Sequence, residues 1–213
     1  MKRFISAAPV FSGEKVIILG SGPSLDGFDF RALSGRKTIA VNDAGTILYP
    51  CADVLIGTDR RWWNNLAHRW RGGCVGSYLG PIMVCTEPDA AVGIEGDKRL
   101  VFMRRARLPG ISRNPAILHG LYTGVHAAIN LAALCGARKI VLLGVDLKPD
   151  GDRKYSYGGS VTPRTAEQFL LMRGALESCA PDLERLGIAV INGSPDSALR
   201  VWPLMSAEDA LRA

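Results

Sequence analysis

The chain has 213 residues, 47% of them apolar and 22% charged, the composition of an ordinary soluble domain with a sizeable core. No apolar run reaches the roughly 18 residues that span a bilayer. The apolar part of the opening MKRFISAAPVFSG is too short and broken for a secretion signal, so a cytoplasmic protein is expected. The net charge of +6 is carried largely by arginine: Arg60, Arg61, Arg69 and Arg71 in one segment, Arg104, Arg105, Arg107 and Arg113 in another. That balance suits an anionic substrate such as a nucleotide, a phosphosugar or nucleic acid, and it equally describes a solvated basic surface.

The stretch KVIILGSGPSL opens the fold. Residues 16–19 form a continuous apolar run, the pattern of a parallel strand buried on both faces. Gly20, Ser21, Gly22, Pro23 and Ser24 follow at once. A Gly-rich turn there brings backbone N–H groups close to a phosphate, and a following helix would add favourable partial charge. Leu25 stands where a dinucleotide fingerprint needs its third glycine, which argues against an ordinary NAD enzyme.

Residues 26–33 predict a short helix and residues 37–41 a second strand, which runs into Asn42 and Asp43. A short helix is expected over 43–49. Residues 54–57 give a third strand ending in Thr58 and Asp59, and RRWWNNLAHRWR a helix over 60–71. Trp63 and Trp70 would share a face with Leu66 and Ala67, a core face first and a base- or sugar-stacking face second. Residues 82–85 and 100–103 are further strands. Residues 104–118, basic and interrupted by Pro109, Gly110 and Pro115, predict a flexible loop over the site.

Residues 120–135 give a helix apolar nearly all round, to be buried against a sheet and capped by Gly136. Residues 139–143 are a strong strand ending in Gly144, Val145 and Asp146. A polar loop over 148–163 carries Lys148, Tyr155 and Tyr157. Residues 165–186 are helical with a break near Pro181, residues 189–192 form the last strand, and Ser206 caps a short terminal helix. The five cysteines are widely spaced with no CxxC pair, so neither a disulfide framework nor a zinc site is expected. Cys135 and Cys179 fall in apolar helical patterns as core thiols.

Strands alternating with helices predict an α/β fold, a single doubly wound, mainly parallel, Rossmann-like sheet with helices on both faces, as one domain over residues 1–213. In such sheets ligands bind outside the carboxyl ends of the strands. Four strands place polar residues there: Ser21 and Ser24, Asn42 and Asp43, Thr58 and Asp59, and Asp146.

GSGPSL, VNDA, ADVLIGTD, YTGVHAAINLAALCGARKIVLLGVDL and INGSPDSAL, in that order, resemble a group of nucleotide-using transferases. The group joins bacterial family-42 sialyltransferases with the DUF115 proteins, which include a hydroxymethylpterin pyrophosphokinase. The resemblance implies metal-independent sugar transfer from a nucleotide-activated donor, and a compact, basic chain leaves the acceptor open among a glycan, a lipopolysaccharide and a modified nucleic-acid base. The alternatives are ATP-dependent pyrophosphoryl transfer and a catalytically inactive nucleotide-binding module.

Carried over by position, residues 20–24 and Asn42 would contact the nucleotide, with Asp43 and Thr58 beside them. Thr123 and Gly124 match a Ser-Gly pair near the donor, and Gly144 with Asp146 match a GID motif at the nucleoside pocket. The family's histidine base has no counterpart between residues 155 and 165, and Lys148 follows where a tyrosine is usual. His68, His119 and His126 lie elsewhere and are expected to be structural. Asp59 or Asp146 would supply a base, and Lys148, Tyr155 or Tyr157 would stabilise the leaving phosphate. No cofactor beyond the nucleotide-sugar donor follows from sugar transfer. Under pyrophosphoryl transfer Asp43, Asp59 and Asp146 would hold Mg²⁺. The spacing of Asp43, Asp53 and Asp59 is closer to the DUF115 branch.

Overall fold

A computed structural model describes residues 4–68, 77–87, 89, 94, 96–149, 156 and 164–213. Seven strands form one sheet: β1 (Lys15–Leu19), β2 (Lys37–Val41), β3 (Val54–Gly57), β4 (Ile82–Cys85), β5 (Leu100–Phe102), β8 (Lys139–Leu143) and β9 (Ala189–Asn192). Between β5 and β8 the chain adds β6 (Arg104–Ala106) and β7 (Ile117–His119). The sheet order is β5-β4-β3-β2-β1-β8-β9, and every pairing is parallel. The apolar runs explain this: each central strand has helices or turns on both faces, so no polar face is needed.

One core holds Val16, Ile18, Ile39 and Ile56 against α2 (Gly124–Leu134), α3 (Ala166–Glu177) and α4 (Ala180–Arg185). The other holds Ile17, Leu19, Leu55 and Val141 against Trp63 of α1 (Arg60–His68) and Leu211 of α5 (Ala207–Arg212). The expected doubly wound Rossmann-like sheet is therefore present.

Local chemistry sets the ends. Thr165 and Gln168 form a reciprocal capping box at α3, and Ser206 accepts from the Asp209 amide to start α5. Pro181 lies in the first turn of α4, just past the break at Ser178 and Cys179. Gly136, at φ +87°, ends the α2 segment in the left-handed conformation that glycine favours. Cys135 and Cys179 are core thiols, and burial pushes their pKa values up to about 11 and about 12.

Several expectations need correction. Residues 26–33 form no α-helix: Pro23–Leu25 and Phe30–Leu33 are separate 3-10 turns, with Gly27 at φ +73° between them. The expected helix over 43–49 is one 3-10 turn, Asn42–Gly45. No α-helix follows the Gly-rich turn directly, so the helical partial charge expected there is absent. Helix α2 begins at Gly124 rather than at 120, because Thr123 is its N-cap. Of the helix expected over 60–71, Arg60–His68 is described, and Arg69, Trp70 and Arg71 lie outside the described residues.

Residues 104–118 are docked rather than a loose loop. β6 and β7 pair in parallel, Arg104 opposite Ile117, and Met103, Ile111 and Leu118 enter the core. Helix α2 pins the segment through buried side chains. Asn130 Oδ1 accepts from the Ser112 amide at 3.1 Å and the His119 amide at 2.6 Å, and its Nδ2 donates to Ser112 O at 3.0 Å.

Candidate active site at the carboxyl edge of the sheet

The chain runs from β1 through β2, β3 and β4 to β5 in one direction, then returns to place β8 on the other side of β1. The order reverses between β1 and β8. Adjacent connections there leave in opposite directions, and the crevice between them is where open α/β sheets take ligands. Leu19 pairs with Leu143, so the turns after both strands face each other.

Gly20 N–H donates to Leu143 O at 2.8 Å and Gly22 N–H to Gly144 O at 2.9 Å. A β-carbon on Gly20 would stand 2.4 Å from Gly144 O. The glycines are thus required, in part, by the close approach of the two turns. Gly144 itself sits at φ +67°. Ser24 N–H donates to Asp146 Oδ2 at 3.3 Å, and Ser24 Oγ meets Ser194 Oγ at 3.0 Å. Pro23 begins the 3-10 turn that aims Ser24 this way.

The segment after β9 completes the wall. Ser194 Oγ accepts from Val145 N–H at 3.2 Å, and Ser197 Oγ donates to Val145 O at 2.6 Å. Ala198 N–H donates to Asp146 O at 2.8 Å. Asp146 is consequently buried and oriented, not a freely rotating surface carboxylate. Ser194 and Ser197 were not singled out as site residues in the sequence; the INGSPDSAL patch was the only signal pointing to them.

On the β2 side, Leu19 pairs with Ala40, so Asn42 opens the turn that follows the neighbouring strand at the same edge. Asn42 lies at φ +53°, a left-handed conformation that asparagine tolerates better than most residues. Its Oδ1 is buried with no hydrogen-bond partner among the described residues. Ser156, from the loop after β8, donates its amide to Ser21 O at 3.1 Å, and its own Oγ is buried without a partner among the described residues. One orphaned oxygen therefore belongs to a residue bonded to Ser21, and the other to the first residue after β2.

Other candidate residues are occupied elsewhere. Asp43 Oδ1 accepts from Trp62 Nε1 at 2.8 Å. Asp59 is exposed and accepts from Arg61 N–H at 2.7 Å, capping α1. Thr58 is buried beside the start of α2, its Oγ1 3.4 Å from where a Gly124 β-carbon would lie. Thr123 Oγ1 accepts from Val125 N–H at 3.3 Å as the α2 cap, and this 11-residue helix points its N-terminus at the edge. Lys148 is exposed just past Asp146. Tyr155 and Tyr157 lie outside the described residues. Asp53 belongs to the opposite edge, where its carboxylate accepts from Thr38 N–H and Oγ1 at 2.8 and 2.9 Å.

Asp43, Asp59 and Asp146 serve different neighbours, and among the described residues no three carboxylate, histidine or cysteine side chains come together as a metal cage. The residues present do not fit the Mg²⁺ set expected under pyrophosphoryl transfer. His126 is structural, as expected: its Nδ1 accepts from Leu121 N–H at 3.1 Å, so Nε2 carries the proton toward Gly110 O at 2.8 Å. Burial holds its pKa below the ordinary imidazole value. His119 Nδ1 lies 3.0 Å from Pro109 O, and the His68 side chain lies outside the described residues.

The basic segment divides. Arg104, Arg107 and Arg113 are exposed, whereas Arg105 turns inward to Thr58 and Glu87. Burial pulls its pKa below the usual arginine value, and Glu87 acts in the opposite direction. A period-two reading of residues 104–106 as a strand would have separated Arg105 from Arg104.

No protein-family model matches the chain, and none of the curated proteins matches it in sequence. Among solved structures it is similar to the sialyltransferase CstII from Campylobacter jejuni in complex with the substrate analogue cytidine-5'-monophosphate. The two are 15% identical, with 92% of this chain and 86% of that chain covered and a TM-score of 0.55. It is also similar to the sialyltransferase CST-II with a trisaccharide acceptor and CMP, at 15% identity, coverage of 91% and 86%, and a TM-score of 0.54. For monomeric CstII the identity is 14%, the coverage 89% and 85%, and the TM-score 0.52. These likenesses establish a sialyltransferase-like α/β fold, and the DUF115 resemblance has no matching family model beside it.

Proposed function

We propose that the chain is a nucleotide-dependent glycosyltransferase-like enzyme, one Rossmann-like domain that seats the nucleotide of an activated sugar donor in the β1–β8 crevice. The observation that carries this reading is the pair of oxygens orphaned among the described residues, Asn42 Oδ1 at the end of β2 and Ser156 Oγ beside Ser21. A buried polar atom without a partner costs about 1–3 kcal/mol. A nucleotide's ribose hydroxyls and exocyclic amine are donors that would relieve that cost. Two of the similar structures hold CMP, which makes a cytidine nucleotide the first candidate.

In this reading Asp146, fixed by Ser24, marks the nucleoside wall, and the α2 N-terminus with Thr123 and Gly124 faces the phosphate. Lys148, Tyr155 and Tyr157 are the candidates to stabilise the leaving phosphate. Asp146 and Asp59 are the candidate bases, and Asp146 is the better supported because it is buried at the crevice while Asp59 caps a helix. The acceptor is a hydroxyl compound, a glycan, lipopolysaccharide or modified base.

A thermal-shift panel of CMP, UDP, GDP and ATP, each with Mg²⁺ and with chelator, tests the reading. A ligand that binds only the native state raises the melting temperature by mass action. A metal-independent rise with CMP supports the proposal. A rise confined to ATP with Mg²⁺ moves the assignment to pyrophosphoryl transfer, and no rise with any nucleotide removes it.

A further inference from the structure

A second polar cluster lies on the β3–β4 side of the same edge, outside the crevice just described. Gly57 pairs with Cys85, so Thr58 and Thr86 follow side by side. Cys85 packs in the core on the α1 side, and strand alternation turns the next residue to the α2 face. Thr86 is 5% exposed, and among the described residues its Oγ1 has no hydrogen-bond partner.

Arg105 reaches Thr58 and Glu87, the residue that follows Thr86. Its Nη1 donates to Thr58 O at 2.8 Å, and its Nη2 pairs with Glu87. Gly120 makes room for the stem, since a β-carbon there would stand 2.9 Å from Arg105 Cδ. A guanidinium carries five N–H donors, and among the described residues two acceptors engage this one. The Arg105 side chain is 12% exposed and that of Glu87 27%, so the carboxylate is the more open of the pair. Gly124, at the start of α2, adjoins Thr58.

We propose that Arg105 and Thr86 form a subsite for the anionic group of a substrate, a carboxylate or a phosphate, and that Glu87 is the stand-in anion which the ligand displaces. Arginine's planar fork of N–H donors can hold two oxygens of either group at once. The hydroxyl adds a neutral donor, and the positive end of α2 favours the same charge. Three strand spacings, about 14 Å, separate the β1–β8 crevice from this cluster. That is the reach of a nucleotide with its linked sugar, so the subsite takes the sugar or acceptor end. The proposal rests on the glycosyltransferase reading for that assignment only.

The test titrates the full chain with inorganic phosphate, glucuronate and neutral glucose at constant ionic strength, in wild type, Glu87→Gln, Thr86→Val and Arg105→Gln. Glu87→Gln keeps an acceptor for Arg105 but removes the competing charge, and should tighten anion binding roughly tenfold, as expected for one nearby like charge. Thr86→Val should weaken it, Arg105→Gln should abolish it, and glucose should be indifferent throughout. The tighter of phosphate and glucuronate identifies the group. Anion affinity unchanged in both Glu87→Gln and Thr86→Val overturns the proposal, even if Arg105→Gln fails to fold. CMP titrated into the same variants separates the two readings. The subsite stands if anions respond while CMP does not bind wild type, and fails alone if CMP binds and anions ignore the substitutions.

Discussion

Gly22 and Asp146 stand so close that a β-carbon on residue 22 would lie 1.9 Å from Asp146 Oδ2 and 2.8 Å from Gly144 O. The absence of a side chain at residue 22 therefore fixes where the carboxylate of a residue 124 positions later can sit. Neither neighbour yields easily, because Ser24 N–H holds the carboxylate and the Gly144 carbonyl accepts from Gly22 itself. Gly22→Ala should destabilise the fold by about 1–3 kcal/mol, the range for overpacking. It should also weaken nucleotide binding more than a substitution in the distal α5 helix of equal stability cost. Urea unfolding beside a nucleotide titration measures both.

Asn42 offers a cleaner separation of binding from stability. Glycine at position 42 suits φ +53° and removes the orphaned Oδ1. Asn42→Gly should therefore stay within about 1 kcal/mol of wild type in unfolding, strain relief offsetting the added freedom of the unfolded chain. Nucleotide affinity should fall tenfold or more, since about 1.4 kcal/mol of a lost hydrogen bond is a factor of ten. Equal affinity in the two proteins would remove Asn42 from the nucleotide site.

The strands were legible because VIIL, IAV, VLIG, IMVC and IVLL are continuous apolar runs, the pattern of strands buried on both faces. The edge was legible because a Ser, Asn, Thr or Asp follows each run within three residues. What the sequence hid was the partner of each polar residue. Asp59 and Asp146 look alike as letters after a strand, yet one caps a helix and the other is locked under the Gly-rich turn. The segment 104–118 was misread because its strands are three residues long and its anchors, Asn130 and His126, lie inside an apolar helix. Arg105 hid among arginines that do face solvent.

Trp62 and Asp43 make a prediction at the next strand end. The indole Nε1 donates to Asp43 Oδ1 at 2.8 Å, and the ring packs edge-on against Trp63, centroids 4.8 Å apart. Trp62→Phe keeps an aromatic ring and removes the donor. Its expected cost is about 1.5–3 kcal/mol, the range for a hydrogen bond to a charged group. Asp43→Asn retains an oxygen to accept from the indole, so it should lie closer to wild type than Asp43→Ala does. Thermal unfolding of the three variants gives the order; equal losses for Asn and Ala would mean that the indole contact contributes little.

His126 couples the docking of residues 104–122 to pH. Both ring nitrogens are engaged with backbone, one accepting from Leu121 N–H and the other donating to Gly110 O, so the folded state needs the neutral ring. Burial holds its pKa below the unfolded value, which is about 6.5. Below that value the unfolded chain binds the proton that the folded chain resists, and stability then falls as pH falls. The contribution is complete above pH of about 6.5 and is lost progressively until the folded pKa is reached. His126→Ala should lose about 2–4 kcal/mol at pH 8, because two buried backbone groups each lose a partner. It should also show a shallower loss of stability between pH 7 and pH 5 than wild type. Urea midpoints across that range measure the difference, and parallel curves for the two proteins would show that the buried ring titrates as it does in the unfolded chain.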